Sequence, residues 1–410
     1  MTSGSFPAPD AGARGPSTTD GNAARGSSPL WAVLPGGIDD PAAPSGGNRY
    51  DRAVLSLLPD VHEIAVPGSW PNPEPAARHA LSAALADIPD KSDVLVDGLV
   101  GCGVPEILAP HALRLRLIVL VHLPLSDETG LDPDLAEELR AKEGRALHLA
   151  TTVVATSEAA AERVATMHGL PRVEVAPPGV DRAELTEPRA DGRRLLCVAS
   201  VSPRKGQDLL VAALQDDLAE LDWECTFAGA LVRPVPHHDR RLRFVGALPP
   251  AELDGAYRDS DVLILPSRAE TYGMVVTEAL ARGLPVIATA VGGVPEALGT
   301  VADTTAFDTA APETTAPDTA PFDTAPFDTA PFDTAAFDGP VGGVTQPGTL
   351  PGILIPPDDR AALSAAIRAW LTDDALRQSL RAAARARRET LPTWAGTARL
   401  LSAICTGEPQ

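Results

Sequence analysis

Short apolar runs, each followed by a longer stretch with helical spacing, recur along this chain, and that alternation leaves few folds open. "WAVLP", "VHEIAV", "DVLVDG", "LRLIVLVH" and "TTVVATS" read as strands, with "EPAARHALSAALADI" and "SEAAAERVATMHG" as helices between them. Strands with so little polar alternation need cover on both faces, which calls for a parallel sheet between layers of helix. The pattern breaks at "PPGVDRAELTEPRADGRR" and starts again. "LLCVASV", "WECTFAG", "RLRFVG", "DVLILPS" and "LPVIATA" form the second set of strands, and "GQDLLVAALQDDL", "PAELDGAYRDS" and "MVVTEALARG" their helices. At 410 residues the chain exceeds what one core usually serves, so one large doubly wound sheet fits less well than two units. The expected class is α/β, two Rossmann-like domains facing a central cleft, with chemistry in the loops beyond the carboxyl ends of the strands.

Residues 29–185 and 186–385 are the expected domains, and residues 386–410 a C-terminal helix returning to the first of them. Residues 1–28, rich in Gly, Ser, Thr, Pro and Ala, are expected to be a disordered tail. Residues 301–345 are expected to be a disordered low-complexity insertion in the second domain. The repeat "APFDTAPFDTAPFDTAAFD" brings back Phe322, Phe327, Phe332 and Phe337 every five residues, a period that fits neither helix nor strand. A partner-binding array of phenylalanines is the minority reading. Long insertions add little closure entropy, so the fold can carry this one. After it, Pro357-Asp358-Asp359 opens a helix and Pro392 interrupts the helical run before Trp394.

A net charge of −21 argues against nucleic acid as a partner and weighs against an anionic membrane face. Part of it is local, since residues 301–345 hold eight acidic side chains and no Lys or Arg. Cys102, Cys197, Cys225 and Cys405 are widely spaced and show no zinc-like pairing. No secretory signal is visible, and the best apolar run, Leu117 to Val121, is far too short to span a bilayer. A cytoplasmic location is expected.

The stretch "DVLILPSRAETYGMVVTEALARGLPVIATAVGGVPEAL" is the most informative. A strand ends at Pro266-Ser267, a loop carries Glu270, and a helix starts near Gly273. The N–H groups of Gly273, Met274 and Val275 would be unpaired at a positive helix end, a natural seat for a diphosphate. Glu278 lies about two turns into a mostly apolar helix, where a ribose diol would suit it. Taken alone, it would rather be placed on the helix's solvent side. In "LLCVASVSPRKGQDLLVAAL", Arg204 and Lys205 follow a strand, where they could stabilise a leaving diphosphate or form a solvated basic turn.

The order of these motifs resembles family 4 of the retaining glycosyltransferases. The similarity runs from about Trp31 to Ile404, tail and repeat excluded, and is carried above all by Glu270 and Glu278 with "ALARGLPVIAT" and "GGVPE" after them. "VVATSEAAAERV", "VEVAPPGVD" and "FVGALPPAELDGAYRDSDVLILPS" resemble the family's preceding segments. The resemblance implies the GT-B fold, a nucleotide-diphosphate sugar as co-substrate with no cofactor and no metal, and retention of anomeric configuration. It implies that Glu270 contacts donor-sugar hydroxyls and Glu278 the ribose, while Lys205, with Gly273, Met274 and Val275, holds the diphosphate. It also implies that His122, in "LIVLVHLPL", faces the sugar and that Gly46 and Gly47 form the acceptor loop. A packed histidine at a strand end is the competing reading for His122.

Two departures stand out: Ala199-Ser200 replaces the family's frequent Gly-Arg, leaving Arg204 to compensate, and Tyr272 replaces a more usual phenylalanine. "IDD" at residues 38–40 lies in a Pro/Gly-rich loop and suits a cap or turn better than a metal. The expected function is metal-independent sugar transfer to an unidentified hydroxyl, on a small molecule or a lipid. The alternatives are a degenerate nucleotide-sugar binder and a nucleotide-sugar hydrolase or epimerase on the same fold. The acceptor loops would be Pro35 to Tyr50 and Gly98 to Pro105, whose chemistry is generic.

Overall fold

The computed structural model describes Met1 and residues 29–40, 45–299 and 350–407. The expected tail (residues 1–28, Met1 apart) and the expected insertion (residues 301–345) lie outside the described residues.

Strands β1 (Leu30–Pro35), β2 (Val61–Val66), β3 (Asp93–Asp97), β4 (Arg116–Val121), β5 (Thr152–Ala155) and β6 (Glu174–Val175) form one parallel sheet, in the order β2-β1-β3-β4-β5-β6. A second parallel sheet holds β7 (Arg194–Val198), β8 (Glu224–Ala228), β9 (Leu242–Gly246), β10 (Val262–Leu265), β11 (Val286–Thr289) and β12 (Gly352–Ile355). Its order is β12-β11-β10-β7-β8-β9.

Both faces of each sheet are covered, which explains why the strands lack polar alternation. In β4, Leu117, Val119 and Val121 join one apolar layer while Ile118 and Leu120 join the opposite one. In β10, Val262 and Ile264 face one layer and Leu263 and Leu265 the other. All four cysteines are free and buried.

Several elements had no clear signal. β6 is only two residues long. The Pro133–Leu147 helix is largely charged, and its buried stripe of Leu139, Glu143, Ala146 and Leu147 includes a glutamate. The Gly46–Leu55 helix opens with two glycines, poor helix formers, and starts because Ser45 caps it by accepting from the Asn48 N–H at 3.0 Å.

The Trp394–Thr406 helix packs on the first sheet. Trp394, Ala398, Leu401, Ile404 and Cys405 share a layer with Ala32, Leu34, Tyr50, Leu95 and Ile118. The chain passes Gly179 so closely that a Cβ there would lie 2.1 Å from the Trp394 nitrogen. Trp394 is buried, so Trp394→Ala should cost about 3–5 kcal/mol. In hydrogen exchange, protection should fall first in β1, β3 and β4, and the prediction fails if the second sheet loosens equally.

Candidate active site

In the second sheet the strand order reverses between β7 and β10, where a crevice opens in doubly wound folds. The turn after β7 (Pro203–Lys205) and the loop after β10 (Ser267–Tyr272) meet there. Arg268 clamps them: its N–H donates to the Arg204 carbonyl at 2.7 Å, and its guanidinium binds the Pro203 carbonyl, Asp208 and Asp358. Gly206 sits at φ +66° with a would-be Cβ 2.0 Å from the Pro266 carbonyl oxygen, so only glycine permits this approach.

The clamp brings Lys205 to Glu270, with Nζ 2.7 Å from Oε1, and the Ser267 hydroxyl donates to the same oxygen at 2.7 Å. Burial alone would raise the Glu270 carboxyl, but Lys205, Ser267 and Arg204 outweigh it and hold it below the usual range. Glu270 is therefore a desolvated carboxylate with a cation beside it. Behind the loop, a Cβ on Gly292 would lie 1.7 Å from the Glu270 carbonyl oxygen.

The Met274–Ala281 helix starts from Gly273 at φ +89°, and no side chain among the described residues caps it. Taken alone, Glu278 is expected on the helix's solvent side; the structure buries it. Its Oε2 accepts from the Tyr257 hydroxyl at 2.9 Å, and its Oε1 is paired with the Arg49 guanidinium from the first domain. Arg49 also reaches Asp181 at 3.3 Å. Arg204 donates to the Ala269 carbonyl at 3.3 Å, and its Nε is buried without an acceptor among the described residues. At Ser200, where the family often has arginine, the carbonyl accepts from Gln207 at 3.0 Å.

On the first sheet, His122 follows β4 and its Nε2 lies 2.8 Å from Asp51 Oδ1. Gly47 lies against its ring, where a Cβ would be 3.0 Å from Cδ2, while a Cβ on Gly46 would be 3.7 Å from Met274 Sδ. The glycines thus let one helix start touch both halves of the molecule. Asp97, at the end of β3, completes a cluster with Asp51 and His122 whose ligand-type atoms lie within 4.8 Å of one another. Among the described residues these three are the group that could hold a metal, although the His122–Asp51 contact already uses two of their atoms.

The halves are further joined by Ser157, whose hydroxyl donates to the Thr271 carbonyl at 2.5 Å. Glu296 accepts from the Glu158 and Ala159 N–H groups, each at 2.9 Å, capping a helix of the first domain from the second. Lys205 and Glu270 thus meet beyond β7 and β10, just before the helix start at Gly273, Met274 and Val275, while Met274 approaches Gly46, Glu278 meets Arg49, and Gly47 packs on His122. A groove of about 1300 Å³, lined by Glu106, Arg140, His148, Arg163 and Met167 among others, contains none of them.

Sequence reasoning missed Arg49, Asp51, Asp97, Tyr257 and Arg268. For Asp97 a signal existed, a carboxylate closing the apolar strand "DVLVD". Arg49 and Asp51 sit in a polar helix where nothing marks them.

Residues 40–184 match the family described as Glycosyltransferase Family 4, and residues 192–316 that described as Glycosyl transferases group 1. A glycosyltransferase family model thus matches most of each half of the chain. Curated relatives include a D-inositol 3-phosphate glycosyltransferase of Pseudarthrobacter chlorophenolicus, 30% identical over 48% of this chain and 51% of that protein. D-inositol 3-phosphate glycosyltransferase 1 of Catenulispora acidiphila is 28% identical over 61% of this chain and 71% of that protein. The chain spans about half the length of the first curated relatives it matches.

Among solved structures, sucrose-phosphate synthase from Thermosynechococcus elongatus superposes with a TM-score of 0.65 at 18% identity, over 93% of this chain and 99% of that one. HepE of Anabaena, solved with UDP-glucose, superposes with a TM-score of 0.60 at 13% identity, over 92% and 99%. The two-sheet architecture is that of GT-B glycosyltransferases. No helix among the described residues is long and apolar enough to cross a membrane.

Proposed function

We propose that the chain transfers a sugar from a nucleotide-diphosphate sugar to an acceptor hydroxyl, with retention of configuration and without a metal ion. The observation that carries this reading is the convergence of the uncapped helix start at Gly273, the Lys205–Glu270 pair and Glu278 on the crevice between β7 and β10. The diphosphate would lie on the N–H groups of Gly273, Met274 and Val275, with Lys205 and Arg204 opposing the charge that grows as it leaves. Glu270 would accept from donor-sugar hydroxyls, and Glu278 would accept from the ribose diol once Arg49 lets go. His122 would face the sugar, and the Gly46-Gly47 helix start would admit the acceptor. The departing phosphate oxygen can take the acceptor's proton, so no strong protein base is required.

HepE was solved with UDP-glucose, which supports a nucleotide sugar as donor. The relatives' names make a small phosphorylated polyol the first acceptor to try, with a lipid second. Free, buried thiols suit a cytoplasmic enzyme.

The test is a panel of UDP-, GDP- and ADP-sugars, with and without EDTA, following release of nucleotide diphosphate. Release from one donor should survive EDTA and vanish in Glu270→Ala. Donors that raise the melting temperature but never turn over, even with cell extract as acceptor, would reduce the chain to a nucleotide-sugar binder.

A further inference from the structure

The transfer reading leaves Tyr257 unused, yet this residue holds one half of the carboxylate on which that reading depends. Glu278 is 6% exposed and Tyr257 1% exposed, so the carboxylate must find its partners within the protein. The Tyr257 hydroxyl donates to Oε2 at 2.9 Å, and the Arg49 guanidinium of the first domain is paired with Oε1. Arg49 keeps 42% of its side-chain surface exposed, which makes Oε1 the oxygen on the open side.

We infer that Tyr257 is a positioning residue that fixes the Glu278 carboxylate with Oε1 toward the ligand, and so makes the site selective for a ribonucleotide over its deoxy analogues. This rests on the proposed reading in one respect, that Glu278 receives the ribose.

The tyrosine acts here only as a donor. Burial, with the carboxylate beside it, pushes its hydroxyl well above the ordinary value, so it keeps its proton and Oε2 keeps its partner. Its ring is held in turn by Arg282, whose guanidinium carbon lies 4.5 Å from the ring centroid. The same guanidinium donates to Asp254 at 2.7 Å and to the Glu278 carbonyl at 2.9 Å. It thereby ties the Pro250–Arg258 helix, which carries Tyr257, to the Met274–Ala281 helix, which carries Glu278. With Oε2 filled, the carboxylate has one oxygen left for a ligand. Arg49 occupies that oxygen with N–H donors, which the hydroxyls of a ribose can replace. Without the tyrosine, Oε2 could join Oε1 in a two-pronged contact with Arg49, and a ribose would face a stronger competitor.

The experiment is calorimetry on the full chain with UDP, 2′-deoxy-UDP and 3′-deoxy-UDP, or the matching set for whichever base the donor panel selects. The unsubstituted protein should bind the ribonucleotide about 10- to 100-fold more tightly than at least one deoxy analogue, the usual strength of a hydrogen bond to a carboxylate. Tyr257→Phe should lose about 5- to 10-fold for the ribonucleotide and keep its affinity for that analogue, so the ratio contracts. Glu278→Gln should contract it further, because the Tyr257 hydroxyl claims the amide oxygen and turns the N–H groups toward the ligand. Tyr257→Phe added to Glu278→Gln should then raise the ratio about threefold, since the amide is free to turn its oxygen to the ribose.

A tyrosine that only fills space would lower the melting temperature and weaken all three ligands alike. Equal losses for the three in Tyr257→Phe, with the ratio unmoved, therefore overturn the inference while the ribose reading stands. So does a ratio that falls again when Tyr257→Phe is added to Glu278→Gln. An unsubstituted chain that binds all three ligands alike removes the ribose reading, and this inference with it.

Discussion

Lys205→Ala should lower kcat by about 10²–10³ if the ammonium stabilises the departing diphosphate. It should also cost stability, because Glu270 would be left as a buried carboxylate whose remaining partners are the Ser267 hydroxyl and the more distant Arg204. Removing one member of such a pair costs about 3 kcal/mol, toward the low end here since Lys205 keeps 16% of its side-chain surface exposed. Both effects would be measured in the same preparations, kcat with the best donor and stability by urea unfolding. The informative comparison is the double variant Lys205→Met with Glu270→Gln. It removes both charges at similar volume, so it should regain most of the stability and none of the turnover. If turnover returned with stability, the pair would be a structural strut and the donor site would have to lie elsewhere.

Glu278→Ala should weaken nucleotide diphosphate binding by about 1.5–3 kcal/mol, roughly 10- to 150-fold, the value of charge-assisted hydrogen bonds to a ribose diol. Arg49→Ala should act in the opposite direction. The Arg49 guanidinium occupies Glu278 Oε1 in the unliganded chain, and any ligand of that oxygen must displace it. Freed of this competitor, the variant should bind nucleotide about 3- to 10-fold more tightly, a gain of about 1 kcal/mol typical of a half-exposed ion pair. Calorimetry on the two variants and their combination decides the matter. Equal weakening by both substitutions would mean that Arg49 contacts the nucleotide itself.

The contrast between Glu270 and Arg49 shows what could be read from the sequence. Glu270 was legible because strand, loop and helix are local: "DVLILPSRAETYGMVV" contains the strand end, the carboxylate and the uncapped helix start in order. Lys205 was legible for the same reason, as a cation directly after an apolar strand. Arg49 lies 229 residues from its partner Glu278, in a helix whose neighbours are mostly polar, and no local pattern foretells such a contact. Asp51 and His122 are likewise 71 residues apart and meet only because two crossovers bring β4 beneath the Gly46–Leu55 helix. The alternation of strand and helix made both sheets legible, while β6 escaped because two residues carry no periodicity.

The position of the Trp394–Thr406 helix has a consequence for how the protein is made. A ribosome releases β1 to β6 long before it reaches Trp394, yet the layer over β1, β3 and β4 needs Trp394, Leu401 and Ile404 to close. The half synthesised first is therefore the half completed last. Through translation of more than 200 further residues, Ala32, Leu34, Leu95 and Ile118 wait without their final cover, while the second sheet can close its layers without that helix. A nascent chain stalled before Trp394 should engage chaperones through its oldest segment rather than its newest.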